Sequence, residues 1–174
     1  MIEKYKFWFK ELEIKAIAAK KRKAKNPEEW KKETWKAPEK NKQIKEKFTL
    51  EGKLAGYRPR SSFDRKAREW LYDLIWREFD EDGFLIGVHL TMEIELSDKK
   101  EKDIRYDYNK LLQADSEYKV FVFQQKSVKN ADEMLVFFEK VARKYNYKNS
   151  AKYLICCWCT SRNEFMFHDF DLVV

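Results

Sequence analysis

Two carboxylates, Glu93 and Glu95, stand two residues apart in the stretch TMEIELSD, residues 91 to 98. Side chains alternate along a strand, so that spacing puts both acids on one face. The surrounding FLIGVHLTMEIEL alternates strictly, with Ile86, Val88, Leu90, Met92, Ile94 and Leu96 on one side and His89, Thr91, Glu93 and Glu95 on the other. The pattern predicts a long strand, bent at Gly87. On a half-exposed strand such acids are ordinary solvated groups. At the C-terminal end of a strand in a sheet with helices on both faces, two acids need solvent, a bound cation or partners, and ligands bind at that edge. His89 has a side chain able to join a metal shell or act as a base; the plainer reading is an ordinary strand residue hydrogen-bonded locally.

Cys156, Cys157, Cys159 and His168 also carry atoms that suit zinc. Neighbouring strand residues point to opposite faces, however, and KYLICCWCT reads as a buried strand with small apolar thiols. Three clustered cysteines imply no disulfide framework and fit a reducing, cytoplasmic setting. The N-terminus lacks the apolar core of a signal peptide and no apolar run reaches the length of a membrane span, so no membrane partner is expected.

The formal charge of +7 is unevenly placed: residues 1 to 53 hold 17 Lys/Arg against 9 Asp/Glu, and the remainder 20 against 21. Such a field favours a polyanion, although lysine-rich solvated helices are also common in proteins that bind none. Lys21, Arg22 and Lys23 fall in the densest basic run. Trp30, Trp35, Tyr57, Arg58 and Arg60 mix bases with aromatic rings, as surfaces that grip phosphates do, or the tryptophans anchor the segment to the core. In YRPRSSFDR, Arg58, Arg60 and two serines precede a predicted helix start, with Arg65 in its first turn, and suit a phosphate.

The elements that must position these groups follow from periodicity. Ile2, Tyr5, Phe9, Leu12, Ala16 and Ala19 recur at helical spacing to about Lys25, and Pro27 and Pro38 open short helices. Phe48 to Arg60 reads as an irregular connection or short hairpin. Phe63, Ala67, Trp70, Leu71, Leu74, Ile75 and Phe79 predict a helix over 63 to 79, ended by DEDG. The strand of Glu93 follows, then a helix over Asp103 to Ala114 and the all-apolar strand YKVFVFQ, which together make a βαβ crossover. A helix starting at Asn130 and two closing strands complete the chain. At 174 residues the expectation is one α/β fold, a mixed central sheet flanked by helices, with a basic helical arm over 1–56 and the core over 57–174.

The stretch MEIELSDKKEKDIRYDYNKLLQADSEYKVFVF resembles the core of the PD-(D/E)XK nuclease superfamily, and most closely its BamHI-type restriction endonucleases. The likeness rests on Glu93 and Glu95 at a strand end, Asn109, Lys110, Leu111 and Leu112 in the next helix, and the apolar strand Val120 to Phe123. It implies a restriction-endonuclease-like core and hydrolysis of DNA phosphodiester bonds assisted by Mg²⁺, or Mn²⁺ in its place, with a homodimer where both strands are cut. It also implies that Glu93 is a metal ligand, and that Glu95, where most members carry Lys, is a second ligand or orients the attacking water. The family's upstream acid falls on Asp82, then Asp80, in FDEDG. Glu69 is a further acid and Lys110 a displaced catalytic lysine, though both also read as solvated helix charges. The alternatives are a nucleic-acid-binding or scaffold protein that keeps the fold without the chemistry, and a protein-interaction domain whose lysines serve solubility.

Overall fold

The structure is a computed structural model that describes residues 1–62, 71–97, 101–146 and 149–174. Its order is α1 (Ile2–Lys23), a short 3₁₀ turn (Pro27–Lys32), α2 (Ala37–Leu54), β1 (Arg58–Ser61), β2 (Leu74–Phe79), β3 (Leu85–Glu95), α3 (Glu101–Leu112), β4 (Tyr118–Gln125), α4 (Val128–Lys144), β5 (Ala151–Cys159) and β6 (Glu164–Leu172). The strands form one six-stranded mixed sheet in sequential order from β1 to β6. β3, β4 and β5 run parallel, and the flanking strands are antiparallel. Helices cover both faces. Among the described residues no helix is long and apolar enough to cross a membrane.

The sheet's alternation sorts the core into two layers. Leu90, Met92 and Ile94 of β3, Val120 and Val122 of β4, and Leu154, Cys156 and Trp158 of β5 pack with Tyr5, Trp8, Phe9, Ile44 and Phe48 of α1 and α2. Phe121, Phe123, Tyr153, Ile155 and Cys157 face the other way, against Ile104, Tyr108, Leu135 and Phe138 of α3 and α4. Residues 1–56, basic by composition, thus lay two helices on the sheet. Trp35 is buried edge-on to Trp158, their ring centroids 5.0 Å apart.

Three expectations shift. The helix predicted over 63 to 79 falls partly on 63–70, outside the described residues, and from Leu74 to Phe79 it is a strand, β2. Leu71, Leu74, Ile75 and Phe79 sit at helical spacing, but tertiary pairing with β3 overrides that local signal. DEDG is a hairpin turn: Asp80 Oδ1 accepts from Phe84 N at 2.8 Å, and Gly83 takes φ +85°. The connection expected from Phe48 begins after Leu54, because Phe48 belongs to the buried stripe of α2. α4 starts before Asn130, where the Ser127 hydroxyl accepts from Asn130 N at 3.2 Å.

Close packing of α2 on β2 supplies a first prediction. A Cβ added to Gly52 would lie 2.6 Å from Trp76 Nε1 and 2.9 Å from Pro59 Cγ. Trp76 is fully buried and its indole N–H donates to Phe48 O at 3.0 Å, so it cannot retreat cheaply. Gly52→Ala is expected to destabilise by about 1–3 kcal/mol despite alanine's better helix propensity. A urea midpoint at or above wild type would contradict that packing.

Candidate active site

The β2–β3 hairpin brings together residues that lie about twenty positions apart. Leu74 pairs with Met92, so Asp73, immediately before β2, lies beside the end of β3. Asp73 Oδ2 accepts from Ile94 N at 2.9 Å, and its Oδ1 accepts from Lys45 Nζ at 2.6 Å and Ser62 Oγ at 3.3 Å. Glu93 is 1% exposed on the α3 side of the sheet, level with Phe121 of β4. Lys110 Nζ of α3 stands 3.0 Å from Glu93 Oε1 and 3.5 Å from Asp107 Oδ1. The contact is an ion pair, and Glu93 Oε1 finds no donor beyond Lys110 among the described residues. Glu95 Oε1 accepts from Ser97 N and Oγ, each at 2.7 Å.

Burial, reinforced by the charge of Asp73, pushes the Glu93 carboxyl up to about 8, against the pull of Lys110. Asp107 is also raised, by burial first and then by Glu95 and Asp73, with Lys110 opposing. Burial works against the charge of Lys110, but Glu93 and Asp107 outweigh it and hold its pKa above the usual lysine value. The Tyr72 hydroxyl is raised by burial and by Glu93. Asp73, Glu93, Glu95 and Asp107 therefore share one electrostatic field, partly neutralised by two lysines.

No three metal-ligating side chains among the described residues stand ready as a coordination shell. The donors nevertheless fit a hard divalent cation: they are carboxylate oxygens, Glu93 is buried with Lys110 as the partner of its Oε1, and like charge from Asp73 destabilises its ionised form. A cation beside Asp73 and Glu93 would relieve both costs.

No family model, curated protein or solved structure matches this chain. The site is therefore read from its own geometry.

Glu93, Glu95 and Lys110 come together. Asp80 and Asp82 do not join them: they sit in the β2–β3 turn, beyond Leu85, eight residues from Glu93 along β3 and so roughly 25 Å away. The acid beside Glu93 is Asp73 instead. His89 leaves the face of Glu93 as well. Trp76 pairs with Leu90 and Arg77 with Val88, so His89 is the extra residue of a bulge. Its ring stacks on Tyr57 at 4.4 Å, and its Nδ1 is 3.2 Å from Glu117. Cys156 and Cys157 face opposite layers, and burial raises both thiols. His168 pairs with Glu139 of α4.

The basic candidates separate. Lys21, Arg22 and Lys23 are exposed at the end of α1, where Lys20 bonds Asn163 after β5. That places them at the C-terminal edge of the parallel strands, the edge that carries Glu93 and Glu95. Arg60 pairs with Ile75 and lies near that edge, whereas Arg58 pairs with Arg77 and stacks its guanidinium 4.6 Å from the Phe79 ring. Arg65 and Glu69 lie outside the described residues.

Sequence reasoning missed Asp73, Asp107, Lys45 and Tyr72 as site residues. Asp73 carried a signal, an acid directly before the apolar run LIW, hidden by the helical reading of that run. Asp107 stands three residues before Lys110, one turn along the same helix face. Lys45 of α2 offered no such sign.

Proposed function

We propose that this protein is a Mg²⁺-dependent endonuclease that hydrolyses DNA phosphodiester bonds, of the PD-(D/E)XK type, serving restriction or defence in the cytoplasm. One observation carries the reading: Asp73, at the start of β2, lies beside Glu93 in the antiparallel hairpin, with Glu95 two residues on. The family pattern asks for an acid at a strand start and a Glu-x-Glu at the end of the next strand, and this pairing supports it.

Asp73 and Glu93 would hold the cation, with Glu95 as a further ligand. When bound, Mg²⁺, or Mn²⁺ in its place, would polarise the scissile phosphate and lower the pKa of an attacking water. In place of that ligand role, Glu95, steadied by Ser97, would orient that water and accept its proton. Lys110 would supply positive charge on the α3 side of the site to offset the charge that grows on the phosphate. Arg60 and the Lys21–Arg22–Lys23 run would bind backbone phosphates along the same edge and position the duplex. Cutting both strands in one encounter takes a second copy of the chain.

The second reading, a DNA-binding or scaffold protein without the chemistry, draws support from Lys45 and Lys110, which already neutralise Asp73 and Glu93. Cleavage of supercoiled plasmid in Mg²⁺, beside EDTA, separates the two. Asp73→Asn is expected to lower cutting by roughly 10³-fold, about 4 kcal/mol of transition-state stabilisation, whereas Asp82→Asn leaves it unchanged. Salt-dependent DNA binding with no cutting by wild type would favour the binding module. Loss of activity in Asp82→Asn but not Asp73→Asn would reject the site described here.

A further inference from the structure

We infer that Lys45 of α2 is the resident counter-ion of the metal-free site, and that it yields Asp73 when a divalent cation enters. The inference rests on the reading of Asp73 and Glu93 as metal ligands and adds a positioning residue from outside the Glu93 strand and its neighbouring helix.

Lys45 is 6% exposed, and burial of so hydrophilic a group is costly unless it is paired. Ile44 and Phe48 on either side also tie the helix into the core. Its Nζ bonds Asp73 Oδ1 at 2.6 Å and Ser62 Oγ at 2.7 Å. The other oxygen, Oδ2, is engaged by Ile94 N. Oδ1 accepts from both Lys45 and Ser62, so a cation that binds Asp73 through Oδ1 must displace Lys45. Without Lys45, Asp73 and Glu93 would form a partly buried acidic pair with only Lys110 nearby. With a divalent ion in place the positive charge is supplied twice over, and Lys45 retains Ser62 as its partner. Lys45 therefore keeps the site assembled before loading and competes with the metal for Asp73.

Mn²⁺ binding to the full-length protein, followed by calorimetry and by the free-ion paramagnetic resonance signal, tests this without relying on activity. Lys45→Gln, which keeps hydrogen bonding and removes the charge, is expected to bind Mn²⁺ about tenfold more tightly. Lys45→Arg, which keeps the charge, should stay within about threefold of wild type. Ser62→Ala removes the fallback partner and should weaken Mn²⁺ binding, which preserves the test should Lys45→Gln not fold. Affinity unchanged or weaker in folded Lys45→Gln, or unchanged in Ser62→Ala, overturns the role of Lys45 while leaving the metal site standing. Absence of Mn²⁺ binding by wild type, or equal binding by Glu93→Gln, defeats the metal-site reading and this inference with it.

Discussion

Replacing Glu93 with glutamine is expected to abolish cleavage, by roughly 10³-fold or more, while making the metal-free protein harder to unfold at pH 8. On the proposed metal-site reading, loss of activity would follow from removing a buried ligand oxygen. The gain in stability follows from linkage. In the unfolded chain Glu93 releases its proton near 4.5, whereas in the folded protein burial and Asp73 hold it to about 8. Between those values the native state binds a proton that the unfolded state has lost, so this group's contribution falls as pH rises from about 4.5 to about 8. Glutamine does not titrate and removes the slope. Urea unfolding in EDTA should show the variant ahead by less than about 1 kcal/mol at pH 5 and by about 2–4 kcal/mol at pH 8. On the proposed reading Mg²⁺ would bind the ionised carboxylate, so it should stabilise wild type more at pH 8 than at pH 6 and leave the variant nearly unmoved. A stability difference that does not change with pH would mean that Glu93 is not held protonated by its surroundings.

The parts of this site that are legible in the sequence are those where period and burial agree. β3 alternates and is strand, β4 is apolar from Val120 to Phe123 and buried on both faces, and α3 keeps its stripe of Ile104, Tyr108, Leu111 and Leu112. Glu93, Glu95 and Lys110 meet because those three elements are adjacent and joined by a short crossover. Asp73 was hidden because Leu71, Leu74, Ile75 and Phe79 satisfy helical spacing, and only pairing with β3 decides otherwise. Asp-Gly in DEDG, flanked by apolar runs, was the local clue to a hairpin. His89 shows the limit of strict alternation: one bulge residue turns the side chain toward Tyr57 and Trp76. Lys40 and Lys45 show the limit of composition. Both are buried, and Lys40 lies four residues before Ile44 and eight before Phe48, inside the helix's apolar stripe. A charge count treats them as surface.

Deleting residues 1–56 is expected to leave a fragment that does not fold. Those residues carry the basic excess, but α1 and α2 also form an entire layer over the sheet. Their removal bares Leu74, Trp76, Leu90, Met92, Val120, Val122, Leu154, Cys156 and Trp158. At about 1.5 kcal/mol for each buried side chain, the low end of the range, the loss is on the order of the whole stability of an ordinary domain, about 5–15 kcal/mol. Asp73 would lose Lys45, and Gln124 would lose the bond from Lys40 Nζ at 2.8 Å. The 57–174 fragment should therefore give collapsed or aggregated material with poorly dispersed amide resonances. A monomeric fragment with native-like dispersion would instead make residues 1–56 an accessory to a self-sufficient core. If the fragment fails, deletion cannot test the proposed DNA-binding role of this basic segment, because lost folding would mask it. That role must be tested with charge reversals at exposed Lys21, Arg22 and Lys23, which are expected to weaken DNA binding and flatten its salt dependence while leaving the urea midpoint in place.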